Sequence, residues 1–129
     1  MVLHLQAVDR YERVDGVASF VGEDASGSFG ILPHHDRFMT FLTFGLARYR
    51  RADGPWEYLA LPGGLLYAVD NALYVNARRY LRDLDAQRIA EALAGELLAE
   101  EQALAEMKEK VRRLEEELLR RLLAAARER

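Results

Sequence analysis

His34, His35 and Asp36 stand side by side, and their types would suit a metal ion. Neighbours in sequence rarely converge on one ion, however, and no His-x-x-x-His pair places two rings on one helix face. They read as the polar part of a surface loop, with no metal. The chain has no cysteine, which excludes disulfides and thiolate centres. Gly63-Gly64 lacks the lysine and the spacing of a phosphate-cradling loop. None of the serines sits in a nucleophile-elbow pattern. Glu23-Asp24 and Glu100-Glu101 are acidic pairs in polar surroundings, without the burial that tunes a catalytic carboxylate. Arg78, Arg79 and Arg82 form a basic cluster with two readings: a solvated linker, or a docking strip for an acidic surface or a nucleotide phosphate. No constellation supports catalysis, so the chain reads as a non-enzyme.

The elements that carry these residues change character near Asp83–Asp85. All three prolines and every glycine except Gly95 lie before that point. Leu3, Leu5 and Ala7 alternate with His4 and Gln6. Trp56, Tyr58 and Ala60 alternate with Glu57, Leu59 and Leu61, and Leu65, Tyr67 and Val69 keep the same period of two. Asp53-Gly54-Pro55, Pro62-Gly63-Gly64 and Asp70-Asn71 punctuate these runs as tight turns that tolerate a left-handed backbone. Strands this close together leave no room for crossover helices, which predicts an antiparallel β-sandwich over residues 1–83.

Residues 84–129 follow helical grammar. Asp85 suits an N-cap, and Leu84 is placed to pack on Ile89 as a hydrophobic staple. Apolar residues recur at Ile89, Leu93 and Leu97, then at Leu104, Met107, Val111, Leu114, Leu118 and Leu122 in alternating steps of three and four. As one rod the segment would run on the order of 65 Å. Such a stripe must close on itself as a hairpin, lie on the sandwich or pack on a partner. Gly95 is the natural bend, although a helix can run through it. The fold class is therefore α+β: an N-terminal antiparallel β-sandwich with a C-terminal two-helix or long-helix tail.

Half of the 129 residues are apolar, enough for a packed core. The net charge of −3 argues against nucleic acid as the main partner. The N-terminal segment has no basic, long apolar signal sequence, and no run approaches the ~20 apolar residues that span a bilayer, so direct membrane insertion is not expected.

Gly27-Ser28-Phe29-Gly30-Ile31-Leu32-Pro33-His34-His35 resembles the Gly-x-Phe-Gly-Ile-Leu-Pro-x-His signature of the F-type ATP synthase epsilon subunit. Asp36 to Leu42, Gly45-Leu46-Ala47-Arg48, Pro62-Gly63-Gly64-Leu65-Leu66, Val75 to Arg79 and Leu84-Asp85 resemble later family segments, in order. His34-His35-Asp36-Arg37 departs from the usual Gly-His-Ala-Pro, and Asn76-Ala77-Arg78-Arg79 departs from an acidic Ala-Asp-x-Ala. The ending around Leu119-Arg120-Arg121-Leu122 resembles the alternate branch proposed to pump sodium.

The resemblance implies a non-catalytic central-stalk subunit in proton- or sodium-linked ATP synthesis. Its sandwich would clamp the gamma subunit and rest on the c-ring. Its tail would fold compactly or reach the catalytic alpha/beta head and restrain ATP hydrolysis. The implied location is the cytoplasmic face of the cell membrane, peripheral. Ser28, Leu32, His34, His35 and Asp36 would meet the c-ring. Leu84-Asp85-Ala86-Gln87-Arg88-Ile89 is similar to the family's nucleotide motif except at its last position, so Asp85 and Arg88 are candidates for weak regulatory ATP binding. The alternative for that pair is a helix cap followed by a surface arginine. No other cofactor is implied. The main rival function is a β-sandwich adaptor with a coiled-coil dimerisation tail, and a sugar-binding or hydrolytic sandwich is a weaker one. Oligomeric state separates the first rival, since an isolated epsilon subunit should be monomeric.

Overall fold

The computed structural model describes residues 1–127. The strands are β1 (Val2–Gln6), β2 (Tyr11–Val14), β3 (Val17–Asp24), β4 (Gly27–Ile31), β5 (Phe38–Leu42), β6 (Gly45–Arg51), β7 (Glu57–Leu61), β8 (Gly64–Val69), β9 (Ala72–Asn76) and β10 (Leu81–Asp83). Helix α1 (Ala86–Ala92), a π-helical turn (Leu93–Leu97) and helix α2 (Leu98–Arg127) follow. Hydrogen-bonded neighbours run β10-β7-β6-β3-β5-β8-β9-β1-β2, with β4 on β3. The path creases where β3 meets β5 through the single pair Asp24 and Leu42. The crease separates a layer β10-β7-β6-β3-β4 from a layer β5-β8-β9-β1-β2.

Residues facing inward from both layers make one core, including Leu3, Leu5, Phe20, Tyr49, Leu66 and Leu73. Leu66 and Ala68 are the core residues of β8, whereas Leu65, Tyr67 and Val69 face the other way. Asp70 and Asn71, both with positive φ (49° and 57°), make the expected left-handed turn from β8 to β9. At Gly64 a Cβ would stand 2.6 Å from the Asn76 carbonyl oxygen, so the Gly-Gly step answers a close approach of two strands. Pairings are antiparallel with one exception: β1 runs parallel to β9, Val2–Gln6 beside Ala72–Asn76. That pair joins distant parts of the chain, so the turn signals that announce hairpins do not reveal it.

The open ends of the two layers, β10 and β2, are fastened by polar groups. Arg82 pairs with Glu12 and reaches Glu57 at 3.5 Å, and the Tyr80 hydroxyl donates to Glu12 at 2.7 Å. Burial pushes the Glu12 carboxyl up, but Tyr80 and the guanidiniums of Arg10 and Arg82 outweigh it and hold the group below its ordinary value. Burial, then Glu12, push the Tyr80 phenol up to about 12. Arg82 is thus neither a solvated linker nor a docking strip; it closes the sandwich. Arg79 meets Glu96 at 3.0 Å.

Packing divides the chain into a unit over Met1–Leu97 and a second that begins at Leu98. In the first, Ile89 and Leu97 bury against Ala60, with Leu93, Tyr58 and Leu81 around them. Every fourth residue of an α-helix drifts by about 40°. The wider π turn absorbs that drift and keeps Leu93 and Leu97 on the sheet with Ile89. Leu84 stays 60% exposed, so the expected staple does not bury it, and Ile89 packs on the sheet instead. The helix runs through Gly95 and continues to Arg127, so of the two expected tails, two-helix or long-helix, the structure has the long helix and no helical hairpin among the described residues. A glycine costs only about 1 kcal/mol in a helix interior, too little to force a turn back. In the second unit, i,i+4 ion pairs such as Arg112–Glu116 and Arg121–Glu117 line the helix.

Candidate functional site

Strand β4 and the loop after it carry the five residues expected to contact the c-ring, and the structure does not gather them in one place. Leu32, His35 and Asp36 line a shallow pocket of about 420 Å³ with Phe29, Pro33 and Phe38. Ser28 lies toward the other end of β4, about 13 Å away along an extended chain. There it lines a separate groove with Glu23, Leu46, Arg48 and Tyr58. His34 adopts a left-handed conformation (φ 62°), and its backbone N–H donates to Asn71 Oδ1 at 2.8 Å. The β8–β9 turn therefore holds the loop from below. His35 Nδ1 lies 3.0 Å from the Asp36 carbonyl oxygen. Its Nε2 is buried and has no hydrogen-bond partner among the described residues. The pocket itself is mostly apolar, lined by Phe29, Ile31, Leu32, Pro33 and Phe38, and is suited to an apolar partner side chain. No cluster of metal-binding residues occurs among the described residues.

At the start of α1 both candidate nucleotide groups have partners. Asp85 Oδ1 accepts from the N–H groups of Gln87 and Arg88 at 2.9 and 3.2 Å, which is N-cap geometry. The Arg88 guanidinium forks onto Asp83, with Nε 2.7 Å from Oδ2 and a terminal nitrogen 3.0 Å from Oδ1. The Asp85 backbone N–H and Arg88 hold the Asp83 carboxyl below its ordinary value. A phosphate at this place competes with a carboxylate already seated in the fork.

The outer face of the β5-β8-β9-β1-β2 layer carries a surface that the sequence reading missed. Tyr67, Tyr74 and His4 stack across three strands, with ring centroids 4.6 and 4.5 Å apart and planes within 9°. Tyr11 extends the row to β2 at 6.0 Å from His4, and its hydroxyl shares a 2.6 Å hydrogen bond with His4 Nδ1. Beside the row, β5 sets Met39 opposite Tyr67 and Phe41 opposite Leu65. Met39 and Phe41 are 68% and 76% exposed. One signal was available: apart from Thr40, β5 and β8 carry apolar or aromatic residues at both alternating positions, as in strands covered on both faces.

Along α2, Leu104 is half-buried, while Met107, Val111, Leu114, Leu118 and Leu122 are exposed. No residue of α2 is buried among those described. No described helix is long and apolar enough to cross a membrane.

Residues 2–83 match the model of the ATP synthase delta/epsilon chain β-sandwich domain. ATP synthase epsilon chain 2 of Cereibacter sphaeroides is 39% identical over 90 residues, 69% of this chain and 62% of that protein. The chain thus spans less than two thirds of that relative's length. The epsilon chain of Polaromonas naphthalenivorans is 34% identical over 77% of this chain and 72% of its own. That of Nitratidesulfovibrio vulgaris is 36% identical over 84% and 81%. Among solved structures, a chain in the central stalk and c-ring of the Tetrahymena thermophila mitochondrial ATP synthase shares the fold. Its TM-score is 0.56 at 18% identity, covering 86% of this chain and 90% of that one.

Proposed function

Because this chain belongs to the ATP synthase delta/epsilon chain family, we propose that it is the epsilon-type subunit of a rotary ATP synthase's central stalk and is not itself catalytic. In this reading residues 1–83 bind the rotor and residues 84–129 regulate. The gamma subunit covers the outer face of β5-β8-β9-β1-β2. The pocket at Leu32, His35 and Asp36 receives an apolar side chain from the c-ring. Ser28 and His34 frame that contact from either side. The stripe from Leu104 to Leu122 packs on the alpha/beta head or another neighbour and restrains hydrolysis. The subunit sits peripherally at the cytoplasmic face of the membrane, in a motor driven by protons or sodium.

The observation that carries this reading is the exposed pair Met39 and Phe41 beside the aromatic row. Exposed apolar area of this kind marks a face that a partner covers. Asp85 and Arg88 serve as cap and ion pair, and a weak regulatory role for ATP would require displacing Asp83. The test is native mass spectrometry with the gamma-type subunit encoded beside this chain. A one-to-one complex, lost in Met39→Asp/Phe41→Asp, is expected. A complex that the double variant leaves intact overturns the assignment of this face. A stable homodimer that ignores gamma favours the coiled-coil adaptor.

A further inference from the structure

On the outer face of the other layer, β6 points Arg48 and Arg50 outward while Ala47 and Tyr49 enter the core. Both guanidiniums stack on the ring of Trp56, at 4.4 and 4.9 Å from its centroid. Neither is in ion-pair contact with a carboxylate of the described residues. The acidic residue next to Trp56 cannot serve, because the register sets Glu57 opposite Tyr49, on the inner face, where Arg82 engages it. An indole platform fixes two guanidinium planes and leaves their edge N–H donors to solvent. Arg48 also lines an open groove of about 220 Å³ with Val21, Leu46 and Tyr58, and with the acidic Glu23, which leaves Arg48 and Arg50 beside Trp56 as the place for a partner's carboxylates. Outward residues two apart on a strand are about 6.6 Å apart. Two carboxylates one helical turn apart match that spacing.

We propose that Arg48, Trp56 and Arg50 form a docking surface for an acidic segment of a protein partner that presents two neighbouring carboxylates. Fork-shaped donors favour carboxylates bidentately. Two arginines in a chain of net charge −3 are too few to hold a nucleic acid backbone or an anionic bilayer. This surface lies on the layer opposite the aromatic row and does not depend on what covers that row.

Trp56 is the only tryptophan, so its emission reports on this surface alone. The experiment titrates the full chain with a hexaglutamate peptide and reads Trp56 emission, with fluorescence anisotropy of the labelled peptide as a second readout. A saturable response is expected, weakened by added salt and roughly tenfold by Arg48→Ala/Arg50→Ala. The conservative pair Arg48→Lys/Arg50→Lys should restore it only in part. The proposal is overturned if hexaglutamine responds equally, if the alanine variant binds unchanged by anisotropy, or if the unsubstituted chain gives no saturable response. It is also overturned if phosphatidylserine vesicles or a single-stranded oligonucleotide bind more tightly than the peptide.

Discussion

Replacing Ile89 by alanine should detach α1 from the sheet while the sandwich stays folded. Ile89 is 2% exposed, and the apolar cluster it belongs to is small: Leu97, Leu93 and the three sheet residues Ala60, Tyr58 and Leu81. Large-to-small changes at buried aliphatic positions remove about 2–5 kcal/mol, least where the site can collapse. A helix at the edge of a sheet collapses readily, so the lower part of that range applies, about 2.8 kcal/mol. That shifts the docking equilibrium about 100-fold. The assay is hydrogen exchange followed by mass spectrometry. Amides in residues 86–97 should exchange about 100-fold faster, while those of β3, β6 and β8 keep their protection. Equal acceleration of helix and strands would refute the reasoning, because α1 and the sheet would then open as one cooperative unit.

Gly95 should tolerate alanine and gain from it: a Cβ there meets nothing within 4 Å, and its backbone is helical. The expected gain is about 0.5–1 kcal/mol in helix stability, read by circular dichroism during thermal unfolding. Glu12→Gln should destabilise by about 1–2 kcal/mol at neutral pH, measured by urea denaturation, since it weakens the fastening between β2 and β10. The folded pKa of Glu12 is depressed, so its contribution is fully present above the unfolded value near 4.3 and is lost as pH falls through the folded value. The two proteins should therefore converge in stability on acidification below about pH 4.

Much of the architecture could be read locally. Alternation around Leu3, Leu59 and Leu65 marked strands, Asp70-Asn71 marked a hairpin, and Asp85 marked the helix start, because each of these depends on a few adjacent residues. What escaped was non-local. Arg82 looked like part of a basic linker because β10 has only three residues, too few to show which way a side chain points. The row Tyr67, Tyr74, His4 and Tyr11 draws one ring from each of four strands, so no window of sequence contains it. Ser28 was grouped with Leu32, His34, His35 and Asp36 because the resemblance treats their segment as one contact, whereas an extended strand carries Ser28 to a different end.

The parallel pairing of β1 with β9 sets an order on synthesis. Strand β1, made before the rest of the sandwich, finds its inner neighbour only after every other strand except β10 has been made. Until then β1 and β2 form at most a lone hairpin, which is marginal in water. His4 and Tyr74 are opposite each other in that late pair. The stacked row is therefore completed in the same step that joins the two ends of the β5-β8-β9-β1-β2 layer. A partner that reads the row engages only chains in which this long-range pair has formed.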